Sequence, residues 1–128
     1  MKQEYYFGIA KAVAEGSKCL RRQYGAVIVK HDMVISTGTN GAPRGEMDCK
    51  HTNFCKRQAD GSEHGSDYSN CKSVHAEMNA IINASPEDMR GATLYLVGLE
   101  NGIPIKSEPC YICKKLIKQA GIVSVHTY

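Results

Sequence analysis

Gly25-Ala26-Val27-Ile28-Val29, then His31-Asp32, then Met33-Val34-Ile35-Ser36-Thr37-Gly38-Thr39: this stretch decides the fold. Residues 25–29 are short, β-branched and bounded by glycine, so they read as a strand. Met33–Thr39 reads as a second strand, with His31-Asp32 as the turn between them. Upstream, Lys2–Glu15 sets Tyr6, Ile9, Ala10 and Val13 on one helical face. Downstream, residues 74–84 carry Val74, Met78, Ile81 and Ile82 at helical spacing. Residues 93–99 read as a buried strand, 110–120 as a helix ended by Gly121, and 122–126 as a final short strand. The order helix, hairpin, helix, strand, helix, strand predicts a small α/β sandwich with a mixed sheet. Residues 41–72 do not fit that rhythm: they are poor in apolar residues and hold Cys49, Cys55 and Cys71. A segment of that length inside a compact domain needs something other than a core to order it, and metal cross-links would do so.

At 128 residues the chain is expected to form one domain, residues 1–128, with 41–72 as a cysteine-rich insert. The net charge of +3 is mild and the basic residues form no block, so nucleic acid is not demanded as a partner. Lys114, Lys115 and Lys118 cluster at helical spacing and read as a solvated face, a binding surface being the alternative. No apolar run approaches the length of a membrane span, so no membrane partner is expected. The N-terminus has Glu4 early and apolar residues broken by Lys11 and Glu15, which is not a signal peptide; a cytoplasmic chain is expected. Disulfides rarely persist there, which makes metal binding the leading explanation for the six cysteines.

Two short motifs carry chemistry: His75-Ala76-Glu77 and Pro109-Cys110-Tyr111-Ile112-Cys113. Cys110 and Cys113 are three apart and share a helix face, and Pro109 suits the start of that helix. A helix N-terminus favours the thiolate, the form that binds metal. His75 and Glu77 both reach one point from the first turn of their own helix. Three protein ligands leave the fourth position of zinc to water, and zinc lowers the pKa of that water towards neutrality. Glu77 is then the carboxylate free to move protons. Two readings compete: a closed structural zinc site with Glu77 as fourth ligand, and a redox Cys-x-x-Cys, which leaves His75-Ala76-Glu77 unexplained.

His-x-Glu followed by Pro-Cys-x-x-Cys is the signature of zinc nucleobase deaminases. The chain resembles the cytidine and deoxycytidylate deaminase superfamily, and within it the deoxycytidylate (dCMP) branch. The matching segments are residues 17–22, 25–29, 36–43, 75–82 and 109–113, which span most of the chain. The resemblance implies a cytidine-deaminase-like α/β/α sandwich with a central mixed sheet of about four to five strands. It implies hydrolytic deamination of dCMP to dUMP with release of ammonia, in pyrimidine deoxynucleotide metabolism. His75, Cys110 and Cys113 would hold the catalytic zinc. Glu77 would take a proton from the zinc-bound water, deliver it to N3 of the pyrimidine, and help protonate the departing ammonia. Asn40 and Ala76 would contact substrate, Asn40 at the deoxyribose, with an ordinary turn asparagine before Gly41 as the plainer reading. The 5′-phosphate needs cationic or backbone donors; Arg21, Arg22 and Arg44 are near the matching loops, and Arg21 is chosen.

Four cysteines remain: Cys19, Cys49, Cys55 and Cys71, the number that closes a structural zinc site. The resemblance agrees with a second zinc there; His51 or His64 in place of one cysteine, Cys55 foremost, is the alternative, as are free buried cysteines. Relatives imply a homo-oligomer, a hexamer or a dimer, and regulation by dCTP and dTTP. Neither is read from these residues, and family members commonly continue beyond the last strand with a tail that contributes such contacts. Other zinc nucleobase deaminases are the rival activities. Free cytidine deaminases typically have Cys where this chain has His75. The tRNA adenosine deaminases usually lack the cysteine-rich insert and call for a more basic surface. Guanine and pterin types share the metal motif. A non-catalytic, zinc-stabilised nucleotide-binding module is the rival from another class, and it gains nothing from Glu77.

Overall fold

The structure, a computed structural model, describes residues 2–46 and 73–128. In chain order the elements are α1 (Lys2–Glu15), β1 (Gln23–Lys30), β2 (Met33–Thr39), α2 (Ala76–Asn83), α3 (Pro86–Met89), β3 (Thr93–Glu100), β4 (Ile103–Ile105), α4 (Tyr111–Ala120) and β5 (Ser124–Thr127). The hairpin forms as its sequence predicts. Lys30 pairs with Met33 across the two-residue loop His31-Asp32, and both loop residues have positive φ, 53° and 59°. That is the primed geometry whose twist matches the flanking strands. An extra residue opposite the Ile28/Val29 step bulges β2, so the register shifts near the turn.

β1 lies between β2 and β3, antiparallel to both, and β3 carries β4 and β5 on its other side. β4 pairs antiparallel with the end of β3, and β5 pairs parallel with its start, so the sheet is mixed and five-stranded. One face packs α1 against Val27, Val29, Tyr95, Val97 and Leu99. The opposite face packs α2, α3 and α4 against Ala26, Ile28, Leu94 and Leu96. Alternate residues of β1 and β3 thus feed opposite cores, as the two-residue period of a strand requires. The result is the α/β/α sandwich with a mixed sheet that the sequence predicts.

Several boundaries and one face differ from the sequence reading. α2 begins at Ala76 rather than at Val74, because Val74 is in backbone pairing with Gly41. The buried face of α2 is Ala76, Glu77 and Ala80, and Ile82 is 68% exposed. The reason is close approach: a Cβ on Gly38 would overlap the backbone of Ala76 and Ala80, so the helix lies directly on β2 and only small residues fit beneath it. Asn79 and Asn83, one turn apart, donate their side-chain amides to the Thr39 and Thr37 carbonyls at 2.7 and 3.2 Å and fix that docking. Gly25 performs the same service for α1, whose Ala10 and Ala14 backbone occupies the space a Cβ would need.

Two elements escape a reading by hydrophobic period. β4 has three residues and pairs through the Asn101-Gly102 turn, where both residues have positive φ. α3 has four, capped by Ser85, whose side chain accepts from the Asp88 amide at 3.2 Å, with Pro86 opening the helix. No helix among the described residues is long and apolar enough to cross a membrane.

Candidate active site

Two helix N-termini meet at one end of the sheet. His75 is the N-cap residue of α2 and Cys110 that of α4. His75 is placed by the strand pair before it: Gly41 and Val74 exchange both backbone hydrogen bonds, at 3.1 and 2.6 Å. The His75 carbonyl then accepts from the Asn79 amide at 3.0 Å and opens the helix. At α4, the Cys113 amide donates to Cys110 Sγ at 3.4 Å, so the thiol itself caps the helix and projects from its first turn. Gly121 closes the other end with φ 89°, the left-handed cap expected of it.

His75 Nδ1 lies 3.4 Å from Cys110 Sγ and 3.3 Å from Cys113 Sγ. Among the described residues these three form the group whose donor atoms close on one point, all within 4.8 Å of one another. The donor set suits zinc. Nitrogen and sulfur ligands at about 2.0–2.1 and 2.3 Å on a tetrahedral ion stand about 3.5 Å apart. The observed separations match that span with no rearrangement, and one imidazole with two thiols leaves one tetrahedral position without a protein ligand among the three.

Glu77 is 5% exposed and sits behind this cluster, hydrogen-bonded to Cys113. Burial pushes its carboxyl above the ordinary range; its own backbone amide and the Cys113 thiol pull the other way, and burial prevails. Burial also pushes the Cys113 thiol up, and the Glu77 carboxylate beside it adds to the effect. A cation reverses this balance, because a coordinating thiol is deprotonated by the ion's own charge.

Asn40, the last residue before the Gly41–Val74 bridge, is buried and held through both polar atoms of its side chain. Its Oδ1 accepts from Ser17 Oγ at 2.7 Å and the Tyr24 amide at 2.8 Å, and its Nδ2 donates to the Arg22 carbonyl at 2.9 Å. Ala76 is buried at the first position of α2. Arg21 has a buried Nη1 with no hydrogen-bond partner among the described residues, whereas Arg22 is paired with Glu100 at 2.7 Å. Arg44 reaches the Asn83 side chain at 3.3 Å, an exposed contact. Cys19 is buried and forms no disulfide among the described residues. Cys49, Cys55 and Cys71, with His51 and His64, lie outside the described residues. Lys114, Lys115 and Lys118 are all exposed, Lys115 over the Tyr111 ring at 4.2 Å. The sequence assigns no role to Ser17 or Tyr24; Ser17 lies in the segment between α1 and β1, and Tyr24 lies within β1.

An α/β/α sandwich that presents one imidazole, two thiols and a buried carboxylate at paired helix N-termini defines a class: the zinc-centred deaminases. Comparison with known proteins gives the family. Residues 1–128 match the cytidine and deoxycytidylate deaminase zinc-binding region, and the chain belongs to that family. A deoxycytidylate deaminase of Mycobacterium phage D29 is 44% identical over 127 residues, covering 95% of this chain and 90% of the relative. The deoxycytidylate deaminase of Schizosaccharomyces pombe is 34% identical over 94% of this chain, which spans only 35% of that larger protein. Among solved structures, the dCMP deaminase of cyanophage S-TIM5 in complex with dCMP and dUMP superimposes with a TM-score of 0.72 at 30% identity, over 98% of this chain and 82% of the other.

Proposed function

We infer that the chain is a zinc-dependent hydrolase that converts dCMP and water to dUMP and ammonia, acting in the cytoplasm as a single domain. The observation that carries this reading is the phage D29 deoxycytidylate deaminase, similar along nearly the full length of both chains. The metal cluster supports the chemistry, and the likeness to a structure holding dCMP and dUMP supports the substrate.

His75, Cys110 and Cys113 hold the zinc. When bound, zinc supplies a Lewis acid that makes hydroxide available near neutral pH. Glu77 moves two protons in turn: it accepts one from the attacking water and passes it to N3 of the pyrimidine, then takes the second from the hydroxyl added at C4 and gives it to the departing amine, so that ammonia leaves as the C4 carbonyl forms. Its burial excludes bulk water from that transfer. Asn40 and Ala76 face the nucleoside. Arg21 takes the 5′-phosphate; a buried guanidinium nitrogen without a partner among the described residues suits an anion, and Arg22 is already committed to Glu100.

A second, structural zinc is held by Cys19 with Cys49, Cys55 and Cys71. The active form is a homo-oligomer; Ile82, Ile112 and Leu116 leave apolar surface on α2 and α4 for a second copy to cover. The test of the activity is ammonia release from dCMP, CMP, deoxycytidine, dCTP, guanine and adenosine in tRNA. Preference for dCMP is expected. A preference for deoxycytidine over dCMP overturns the phosphate assignment, and turnover of adenosine in tRNA alone overturns the substrate.

A further inference from the structure

Residues 106–110 carry the chain from β4 to α4 and end on Cys110, one of the three clustered donors. Ser107 and Pro109 are buried along this strap, and Lys106 and Glu108 are exposed. That alternation is the two-residue period of extended chain, so two inward side chains anchor the strap. Ser107 is 4% exposed, and its hydroxyl donates back to the Ile105 carbonyl at 3.1 Å.

Beneath Ser107 lies Gly98. It pairs with Tyr24 of β1 on one side and with Ile105 of β4 on the other. It belongs to the same face of β3 as Leu94 and Leu96, the face that carries α2 and α4. A Cβ on Gly98 would overlap Ser107 Oγ and stand 2.6 Å from Tyr24 Cε1. The strap therefore crosses the sheet at a position of β3 that has no side chain, and it fills the space a side chain would take.

A stiff link joins this seat to the metal cluster. Proline fixes its own φ and biases the residue before it, here Glu108, towards extended backbone. Cys110 is itself extended, with φ −69° and ψ 171°, and caps α4. Neither residue between Ser107 and Cys110 is glycine. A displacement of Ser107 is thus carried to Cys110 rather than absorbed. Gly38 lies under α2 and acts on the His75 side. The two halves of the cluster rest on separate glycines.

We propose that Gly98 and Ser107 form the seat that sets Cys110 against His75, and that Ser107 is a positioning residue for the metal. The inference rests on the zinc reading above. It assigns the 3.4 Å separation of His75 Nδ1 and Cys110 Sγ to a contact on β3 made by neither ligand.

The test uses the full chain loaded with zinc or with cobalt. Cobalt reports cysteine coordination through its sulfur-to-metal absorption bands, and Cys110→Ala supplies the baseline for ions held elsewhere. Gly98→Ala should lower zinc affinity at the cluster by about 10–100-fold in competition with a chelator, and move the bands that Cys110→Ala removes. Ser107→Ala frees the strap of one hydrogen bond and should cost about three- to tenfold. It also leaves the Tyr24 ring edge as the main obstacle to a Cβ at position 98, so adding Gly98→Ala to it should cost no more than about threefold. Val27→Ala, in the core on the opposite face, is the control: it should lower urea stability and leave affinity and spectrum unchanged. Additive losses from the Gly98 and Ser107 substitutions overturn the inference. So does an equal loss of affinity in Val27→Ala, which makes the effect one of general stability. If Gly98→Ala does not fold, Ser107→Ala decides: unchanged affinity and spectrum there overturn the inference. A wild type with no band that Cys110→Ala removes has no metal on Cys110; the zinc reading itself then falls, and this inference with it.

Discussion

Gly38 of β2 and Ala80 of α2 meet backbone to backbone, with no side chain between them. The helix that carries Glu77 therefore rests directly on the sheet, with no room for a Cβ at position 38. Ser36 reinforces the contact by donating its hydroxyl to the Ala80 carbonyl at 2.6 Å. The placement of the His75-Ala76-Glu77 motif is thus set by a glycine on β2, remote in sequence from the motif it supports.

Gly38→Ala should destabilise the zinc-loaded protein by about 2–3 kcal/mol, since the added methyl meets backbone rather than a yielding side chain. It should also weaken zinc retention by shifting the N-terminus of α2. Gly8→Ala is the control: Gly8 lies in α1 with open space around its Cβ position and should gain about 0.5–1 kcal/mol. Urea unfolding of the three proteins reads both signs.

Glu77→Gln should keep fold and zinc content and lower kcat by about a thousandfold, the middle of the range for removing one general acid–base group. Gln fills the same buried space but cannot accept and return a proton. Metal analysis and ammonia release on the same preparation check it, and normal turnover by that variant sinks the proton-transfer role.

Zinc should be found at two per chain in protein purified without chelator. Cys110→Ala should remove the catalytic ion and activity while sparing the second; Cys19→Ala should remove the second and spare the first. A count of one zinc per wild-type chain contradicts the structural site.

The α1–hairpin contact should respond to pH in a bell. Hydrogen bonds from Lys2 and then Tyr6 hold the Asp32 carboxyl below its ordinary value of 3.8. Its contribution is present above that value and lost as pH falls through the lower folded one. The same bond to Asp32 raises the Tyr6 phenol to about 12, so that contribution is present below its ordinary value of 10.0 and lost as pH rises through about 12. The stability difference between wild type and Asp32→Asn should be greatest between pH about 5 and 9 and shrink on both sides. Thermal melts across pH 3–12, a range set about those values, would show a flat difference if the bonds contribute nothing.

What was legible in the sequence follows from distance along the chain. The His31-Asp32 turn, the α1 span and the Gly121 cap are local decisions, and each stands where residue type and spacing place it. Asn101-Gly102 and Ser85-Pro86 were equally local signals for β4 and α3, but those elements are too short to show a hydrophobic period. Apolar spacing over residues 74–84 favours Ile82 as a buried position, whereas close packing on Gly38 sets Ala76 and Ala80 against the sheet and leaves Ile82 exposed.

By itself the sequence determined the chemistry of the site: His75, Glu77, Cys110 and Cys113 come in two short motifs whose internal spacings place each pair on one helix start. The tertiary structure decided what those residues experience. Burial pushes the Glu77 carboxyl and the Cys113 thiol up, and Asn40 is held through both polar atoms of its side chain because Ser17, Arg22 and Tyr24, remote in sequence, converge on it. Ligand type and spacing are properties of a few neighbouring residues. Desolvation and the saturation of a buried amide depend on everything packed around them, and no local pattern encodes that.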